Sequence, residues 1–193
     1  MKHIIFDFDG TLVQSNSIKS DILIYHFANI CCDLKEIKKL INNTDKTRYQ
    51  VYDELKRQGI LKENCRDDFF DKLDNDLINT ISSLPPRNNI IKVLDYVKSM
   101  GWHSYLSSAT PLVSLELIIK RMGWEDYFKE INGAPVTKVE YMSRFIPKVK
   151  SSDKLIIFGD GADDKKCADI FGIKFINAGP INSGKNLLVE LKK

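Results

Sequence analysis

Histidine is scarce in this chain, with three among 193 residues, and only four cysteines and six prolines occur. Cys31 and Cys32 are adjacent, Cys65 and Cys167 stand far apart, and no C-x-x-C or Cys/His ligand spacing appears. That argues against structural zinc and favours free thiols in a reducing compartment. His3, His26 and His103 fall in no ligand spacing either, so packing or surface roles are expected of them. No apolar run approaches the ~20 residues that span a bilayer. Positive charge is not concentrated: the net charge is +3, with Lys and Asp/Glu interspersed and no basic tail or stripe, which argues against a nucleic-acid binder. Internal repeats and low-complexity tracts are missing too. Lys2-His3 leads directly into the first apolar run with no signal-peptide pattern, so a cytoplasmic location is expected.

What remains is a composition of 43% hydrophobic and 28% charged residues, that of a soluble globular protein. The length suits one α/β domain with a small insertion. Its first apolar run, Ile4-Ile5-Phe6, reads as a short buried strand, and Asp7-Phe8-Asp9-Gly10-Thr11-Leu12 follows where the strand ends. Two carboxylates two residues apart, with a glycine to turn the chain, can point at one reaction centre. This layout provides one nucleophile and one proton carrier, and it needs a cation to hold the charges together.

From Ile18 to about Thr80 the pattern is helical throughout. Four amphipathic segments are expected: Ile18, Ile22, Tyr25 and Asn29 with Ile24, Phe27 and Ala28 alongside; Leu34, Ile37, Leu40 and Ile41; Tyr49, Tyr52 and Leu55, ended by Gly59; and Phe69 to Ile78. After Ser82-Ser83-Leu84-Pro85-Pro86 the text alternates. Helices are expected over Ile90–Met100, Pro111–Met122, Lys165–Phe171 and around Leu187–Val189, and strands at Tyr105-Leu106, Leu155–Phe158 and Lys174–Ile176. Such alternation predicts a doubly wound parallel sheet, with active groups at the carboxyl ends of its strands. The expected division is an α/β core from 1–15 and 84–193 and a small all-helical domain at 16–83, with hinges at Ser15-Asn16-Ser17 and Ser83 to Pro86.

The strand-terminal motifs resemble those of the haloacid dehalogenase superfamily, in its phosphatase branch near phosphoglycolate phosphatase and β-phosphoglucomutase. DxDGT[LV] is similar to its first motif. Tyr105-Leu106-Ser107-Ser108-Ala109-Thr110-Pro111 resembles the second, a strand ending in Ser or Thr, with Thr110 expected as helix N-cap and Pro111 at the first helical position. Gly133–Lys138 is similar to the third and Phe158-Gly159-Asp160-Gly161-Ala162-Asp163-Asp164 to the fourth. The helical insertion falls where that superfamily carries its first cap domain.

The resemblance implies Asp7 as nucleophile, Asp9 as acid and base, and Ser108 and Lys138 as charge-neutralising groups. It implies Mg²⁺ held by Asp7, the Asp9 carbonyl, Asp160 and Asp164, and a phosphoryl group contacted by Gly10, Thr11, Ser108, Ala109 and Lys138. The expected substrate is a small phosphorylated metabolite, phosphoglycolate-like or a sugar phosphate. Asp9 excludes a dehalogenase, whose relatives lack that carboxylate. Lys46 and Arg48, at the charged start of the third helix, are expected either to reach an anionic leaving group or to form a solvated helix face. Two other readings stay open: a phosphomutase of the β-phosphoglucomutase type, and a non-catalytic binding protein retaining the fold. Gly179–Lys185 matches a P-loop up to its lysine, but Asn186 replaces the magnesium-binding Ser/Thr and few residues remain for a nucleotide fold. Trp102 and Trp124 each follow a glycine at a helix end and are expected in core or capping contacts.

Overall fold

A computed structural model describes residues 1–42, 46–61, 66–150, 153–179 and 183–192. Cys65 and Pro180–Asn182 of the P-loop-like stretch lie outside the described residues. The chain divides into two compact units, Met1–Gln14 with Ile81–Lys193, and Ser15–Thr80.

Among the described residues the first unit contains five strands, β1 (Lys2–Phe6), β2 (His103–Pro111), β3 (Ile131–Ala134), β4 (Lys154–Gly159) and β5 (Lys174–Asn177). They form one parallel sheet in the order β3-β2-β1-β4-β5. Phe6 of the central strand lies beside Leu106 on one side and Phe158 on the other. A strand paired at both edges and covered on both faces has no polar side, so Ile4, Ile5 and Phe6 are all buried, as are Ile156, Ile157 and Phe158. The chain moves from β1 outward to β2 and β3 and then returns to β4 on the other side. The crevice beyond the carboxyl ends of β1 and β4 is therefore a topological switch point, where open α/β sheets bind ligands.

After β1 come α1 (Asn16–Ile30), α2 (Leu34–Asn42), α3 (Arg48–Arg57) and α4 (Arg66–Ser82); α5 (Ile90–Ser99), α6 (Leu112–Arg121), α7 (Lys138–Phe145), α8 (Ala162–Phe171) and α9 (Ser183–Leu191) accompany the other strands. Tyr141, Met142 and Phe145 of α7 and Cys167 and Ala168 of α8 close a core with Ile5, Tyr105 and Ile157 on one face. Ile4 and Phe6 point the other way by alternation. Helix α5 buries Ile90, Val93, Leu94 and Val97, an i, i+3, i+4, i+7 stripe, and packs on β2 and α9. His3 is buried with its ring nitrogens 3.2 Å from Tyr105 Oη and 3.2 Å from Asp153 Oδ2, which is the packing role expected of it. Trp124 is buried, and Lys2 Nζ lies 4.2 Å above the Trp102 ring.

Several elements differ from expectation. Strand β2 runs four residues past Ser107, so Thr110 is still extended backbone and Pro111, not Thr110, occupies the N-cap position of α6. Strand β3 was not expected, because Ile131-Asn132-Gly133-Ala134 has no apolar run. Its Gly133 fits for lack of a side chain: a Cβ there would meet the Thr110 carbonyl and Leu112 Cα at 2.6 Å each. Helix α7 was not expected either, although Thr137 and Glu140 spell its capping box. Helix α8 begins at Ala162 rather than Lys165, which places Asp163 and Asp164 in its first turn.

The second unit is helical. Its core holds an aromatic cluster, with ring centroids 4.9 Å apart for Phe27–Phe69, 5.1 Å for Phe69–Phe70 and 5.4 Å for Tyr52–Phe70. On α1 only Phe27 is buried, and the expected stripe members Tyr25 and Asn29 are exposed.

Burial, and then the Asp164 charge, push the Cys167 thiol up to about 11. At pH 8 about one molecule in a thousand then carries the reactive thiolate. Brief iodoacetamide treatment followed by peptide mapping is expected to label exposed Cys32 and to leave Cys167 unmodified until the protein is denatured.

Candidate active site

Asp7 extends β1 by one residue, its N–H donating to the Phe158 carbonyl at 2.9 Å. Phe8 is fully buried and anchors the turn, its carbonyl accepting from the N–H groups of Thr11, Leu12 and Val13 at 3.2, 2.8 and 3.3 Å. Gly10 adopts φ +73°, a conformation strained for any residue with a Cβ. The turn folds Thr11 back so that its hydroxyl lies 3.0 Å from Asp7 Oδ2 and 3.1 Å from Asp160 Oδ1. One hydroxyl proton is shared between the carboxylates that end β1 and follow β4.

Asp9 is only partly buried, and its Oδ2 accepts from Thr110 Oγ1 at 2.7 Å and Ser108 Oγ at 3.4 Å. Both hydroxyls face it because alternate residues of β2 share a side. Ala109, between them, is exposed. Thr110 is thus engaged with a carboxylate. It went unrecognised as a site residue, and the signal was its period-two spacing from Ser108. Ser107 faces elsewhere and accepts from Asn132 Nδ2 at 3.1 Å.

Lys138 opens α7, whose capping box is closed by Thr137 and Glu140. Its Nζ lies 2.9 Å from Asp7 Oδ1, 2.6 Å from Asp164 Oδ1 and 3.3 Å from Asp163 Oδ2. Asp164 is buried and its other oxygen accepts from the Gly161 N–H at 3.1 Å, so the first turn of α8 fixes its direction. Carboxylate oxygens of Asp7, Asp160 and Asp164 all lie within 4.8 Å of one another.

The electrostatics are those of a cluster with too many anions. Burial pushes the Asp7 carboxyl up to about 8; Lys138 opposes this, and Asp164 and Asp9 add to it. Asp164 is likewise raised by burial against the pull of Lys138. Burial works to depress the Lys138 ammonium, but Asp7, Asp164 and Asp163 outweigh it and hold the group above its ordinary value. One ammonium does not satisfy this set. A small hard cation fits it: oxygen donors of this kind, gathered within bonding reach and short of positive charge, suit Mg²⁺.

Of the residues expected at the site, Asp7, Asp9, Thr11, Ser108, Lys138, Asp160 and Asp164 are joined by these contacts, with Gly10 in the turn between them. Lys46 and Arg48 belong to the helical unit and each meets a carboxylate there. Lys46 Nζ is 3.7 Å from Glu54, and Arg48, with a side chain 10% exposed, is 2.8 Å from Asp74. Arg87 was not anticipated. Its guanidinium donates to the carbonyls of Gly10, Ala178 and Gly179. An arginine following two prolines carries no sequence signal of such a role.

The sequence profile of the haloacid dehalogenase-like hydrolase family matches residues 4–178. The chain belongs to that family. No curated protein matches it. Haloacid dehalogenase-like solved structures share its fold at low identity. CbbY from Rhodobacter sphaeroides in complex with phosphate has a TM-score of 0.70 at 16% identity, covering 91% of this chain and 84% of its own. A mutant of the same protein was solved with xylulose-1,5-bisphosphate. A provisionally assigned β-phosphoglucomutase from Thermotoga maritima has a TM-score of 0.70 at 16% identity, covering 99% of this chain and 100% of its own. A haloacid dehalogenase-superfamily hydrolase from Geobacter sulfurreducens reaches 0.62 at 14% identity, covering 92% and 89%.

Proposed function

We propose that this chain is a Mg²⁺-dependent phosphatase that hydrolyses a small phosphomonoester through an aspartyl-phosphate on Asp7. The observation that carries the reading is the pair of neighbouring carboxylates in unlike settings. Asp7 is buried against Lys138 and the other acidic side chains, whereas Asp9 is partly exposed and accepts from the Thr110 and Ser108 hydroxyls. These settings support Asp7 as the attacking group and Asp9 as the proton carrier.

In the first half-reaction an Asp7 oxygen attacks phosphorus in line, the ester P–O bond breaks, and Asp9 gives its proton to the departing alkoxide. In the second, Asp9 takes a proton from water, whose oxygen cleaves the acyl phosphate and restores Asp7. Lys138 and Ser108 offset and hydrogen-bond the charge on the transferring group, while the Gly10 and Thr11 N–H groups donate within the turn, to the Val13 and Phe8 carbonyls. Mg²⁺ would be held by Asp7, the Asp9 carbonyl, Asp160 and Asp164, and would supply positive charge to the phosphoryl oxygens. The helical unit would act as a cap that selects the substrate and excludes water.

The test is phosphate release from a panel of phosphomonoesters, sugar phosphates first because a structural relative was solved with a sugar bisphosphate. Release that requires Mg²⁺ and stops with EDTA is expected. Isomer formation without free phosphate, in the presence of a bisphosphate activator, would identify a mutase. No reaction from folded, Mg²⁺-binding protein would identify a non-catalytic relative.

Gly159 offers a sharper probe of the cation site. A Cβ at this position would fall 2.3 Å from Asp164 Cγ and Oδ2, and Asp164 is already fixed by Lys138 and the Gly161 N–H. Gly159→Ala is expected to push Asp164 aside and raise the Mg²⁺ needed for half-maximal activity about 10- to 100-fold. Titration of activity with Mg²⁺ reads this directly, and an unchanged midpoint would remove Asp164 from the ligand set.

A further inference from the structure

Arg87 stands where the chain re-enters the first unit, just past Pro85-Pro86. Its N–H donates to the Leu12 carbonyl at 2.8 Å, and the preceding Pro86 forms an antiparallel bridge with Val13. The side chain then reaches in two directions. Nη1 donates to the Gly10 carbonyl and, at 2.7 Å, to that of Ala178, while Nη2 donates to Gly179 at 3.2 Å. Ala178 is itself tied by its N–H to the Gly159 carbonyl at 2.8 Å, next to Asp160.

One guanidinium therefore joins three separate stretches: the turn of Asp7–Val13, the returning segment, and the loop after β5 anchored at the end of β4. The bond to Gly10 matters most. Glycine is the residue whose peptide is freest to rotate, and the Gly10 peptide lies between Asp9 and Thr11. A charge-assisted hydrogen bond to its carbonyl removes that freedom.

We infer that Arg87 is a positioning residue for the reaction proposed above: by pinning the Gly10 carbonyl to the β5 loop it sets the direction of the Asp9 carboxyl and the Thr11 hydroxyl. The inference rests on the phosphatase reading. It needs a planar fork that meets carbonyls at fixed angles, which the single ammonium of lysine does not supply.

The experiment compares the unmutated chain, Arg87→Ala, Arg87→Lys and Asp7→Asn on p-nitrophenyl phosphate with Mg²⁺, with kcat referred to folded protein measured by circular dichroism. Arg87→Ala is expected to lower kcat about 10- to 100-fold with KM within about twofold, the signature of a misplaced catalytic group. Arg87→Lys is expected to stay folded yet recover little of the loss, and millimolar guanidinium is expected to raise kcat of Arg87→Ala alone. A kcat for both Arg87 variants within about twofold of the unmutated chain, or a loss of folded protein at normal kcat per folded molecule, would overturn the inference and leave the phosphatase reading standing. An unmutated chain that does not turn over, or that matches Asp7→Asn, would sink both.

Discussion

Asp7→Asn is expected to reduce turnover about 10⁴-fold or more while raising the thermal stability of the metal-free protein. The first effect follows because the amide keeps the shape of the carboxylate but is no nucleophile toward phosphorus. The second follows from the cost of burying a charge. Asp7 titrates near 8 in the folded chain, against an ordinary 3.8. A carboxyl raised in this way contributes stability that is fully present below its unfolded value and is lost as pH climbs through the folded one. In EDTA the unmutated protein should therefore lose stability between about pH 4 and pH 8 on account of this group, whereas the Asn variant cannot. Calorimetric melting at pH 5 and pH 8 reads the difference, with the gap in Tm widening toward pH 8 and closing when Mg²⁺ is added. A variant that keeps turning over would remove Asp7 from the chemistry, and equal Tm values at both pH values would show that its charge is not destabilising.

Lys138→Ala should be the change most damaging to stability, and it should lower the rate as well. The Lys138 ammonium meets three carboxylates, two of them on buried residues. Removing one partner of a buried ion pair costs about 3–5 kcal/mol, because the other charge stays behind. For a chain of this length that corresponds to a fall in Tm of about 10 °C. The remaining carboxyls will respond by holding protons more tightly, so the deficit in EDTA should shrink toward pH 5. Turnover should drop about 10²- to 10³-fold, the usual cost of deleting one group that offsets transition-state charge. Mg²⁺ is expected to restore part of the stability and little of the rate. An unchanged rate at saturating Mg²⁺ would make Lys138 a purely structural counter-ion.

How much of this could be read beforehand depends on how local each feature is. Asp7, Asp9, Asp160 and Asp164 each sit within a few residues of an apolar run, so strand ends announce them. The sheet itself follows from β1, β4 and β5, whose apolar stretches are contiguous. Strand β3 is different, since Asn132 and Gly133 replace apolar residues where Asn132 bonds Ser107 and Gly133 leaves room for α6. Thr110 reads as a helix cap because hydroxyl-then-proline is the usual text of a helix start. The competing partner, the Asp9 carboxylate, is a hundred residues away and invisible to local pattern. Arg87 is the extreme case. The carbonyls of Gly10, Ala178 and Gly179 that it meets are main-chain groups, which leave no trace in the identity of the residues that own them. In the helical unit the stripe drawn through Tyr25 and Asn29 followed periodicity alone. Aromatic packing around Phe27 and Phe69 selects a different side of α1.

The central strand precedes its four neighbours in the chain, and this bears on how the sheet assembles. His3 must find His103 on one flank and Leu155 on the other before any cleft exists. These are contacts of high sequence separation, so assembly of the sheet should be slow compared with the helices of Ser15–Thr80, whose contacts are local. The inserted helices barely hinder that search, because threading them between β1 and β2 raises the closure entropy by only about 1 kcal/mol. A fragment ending before β4 would carry Asp7 but neither Asp160 nor Asp164. The proposed site is complete only once β4 and the first turn of α8 have joined β1.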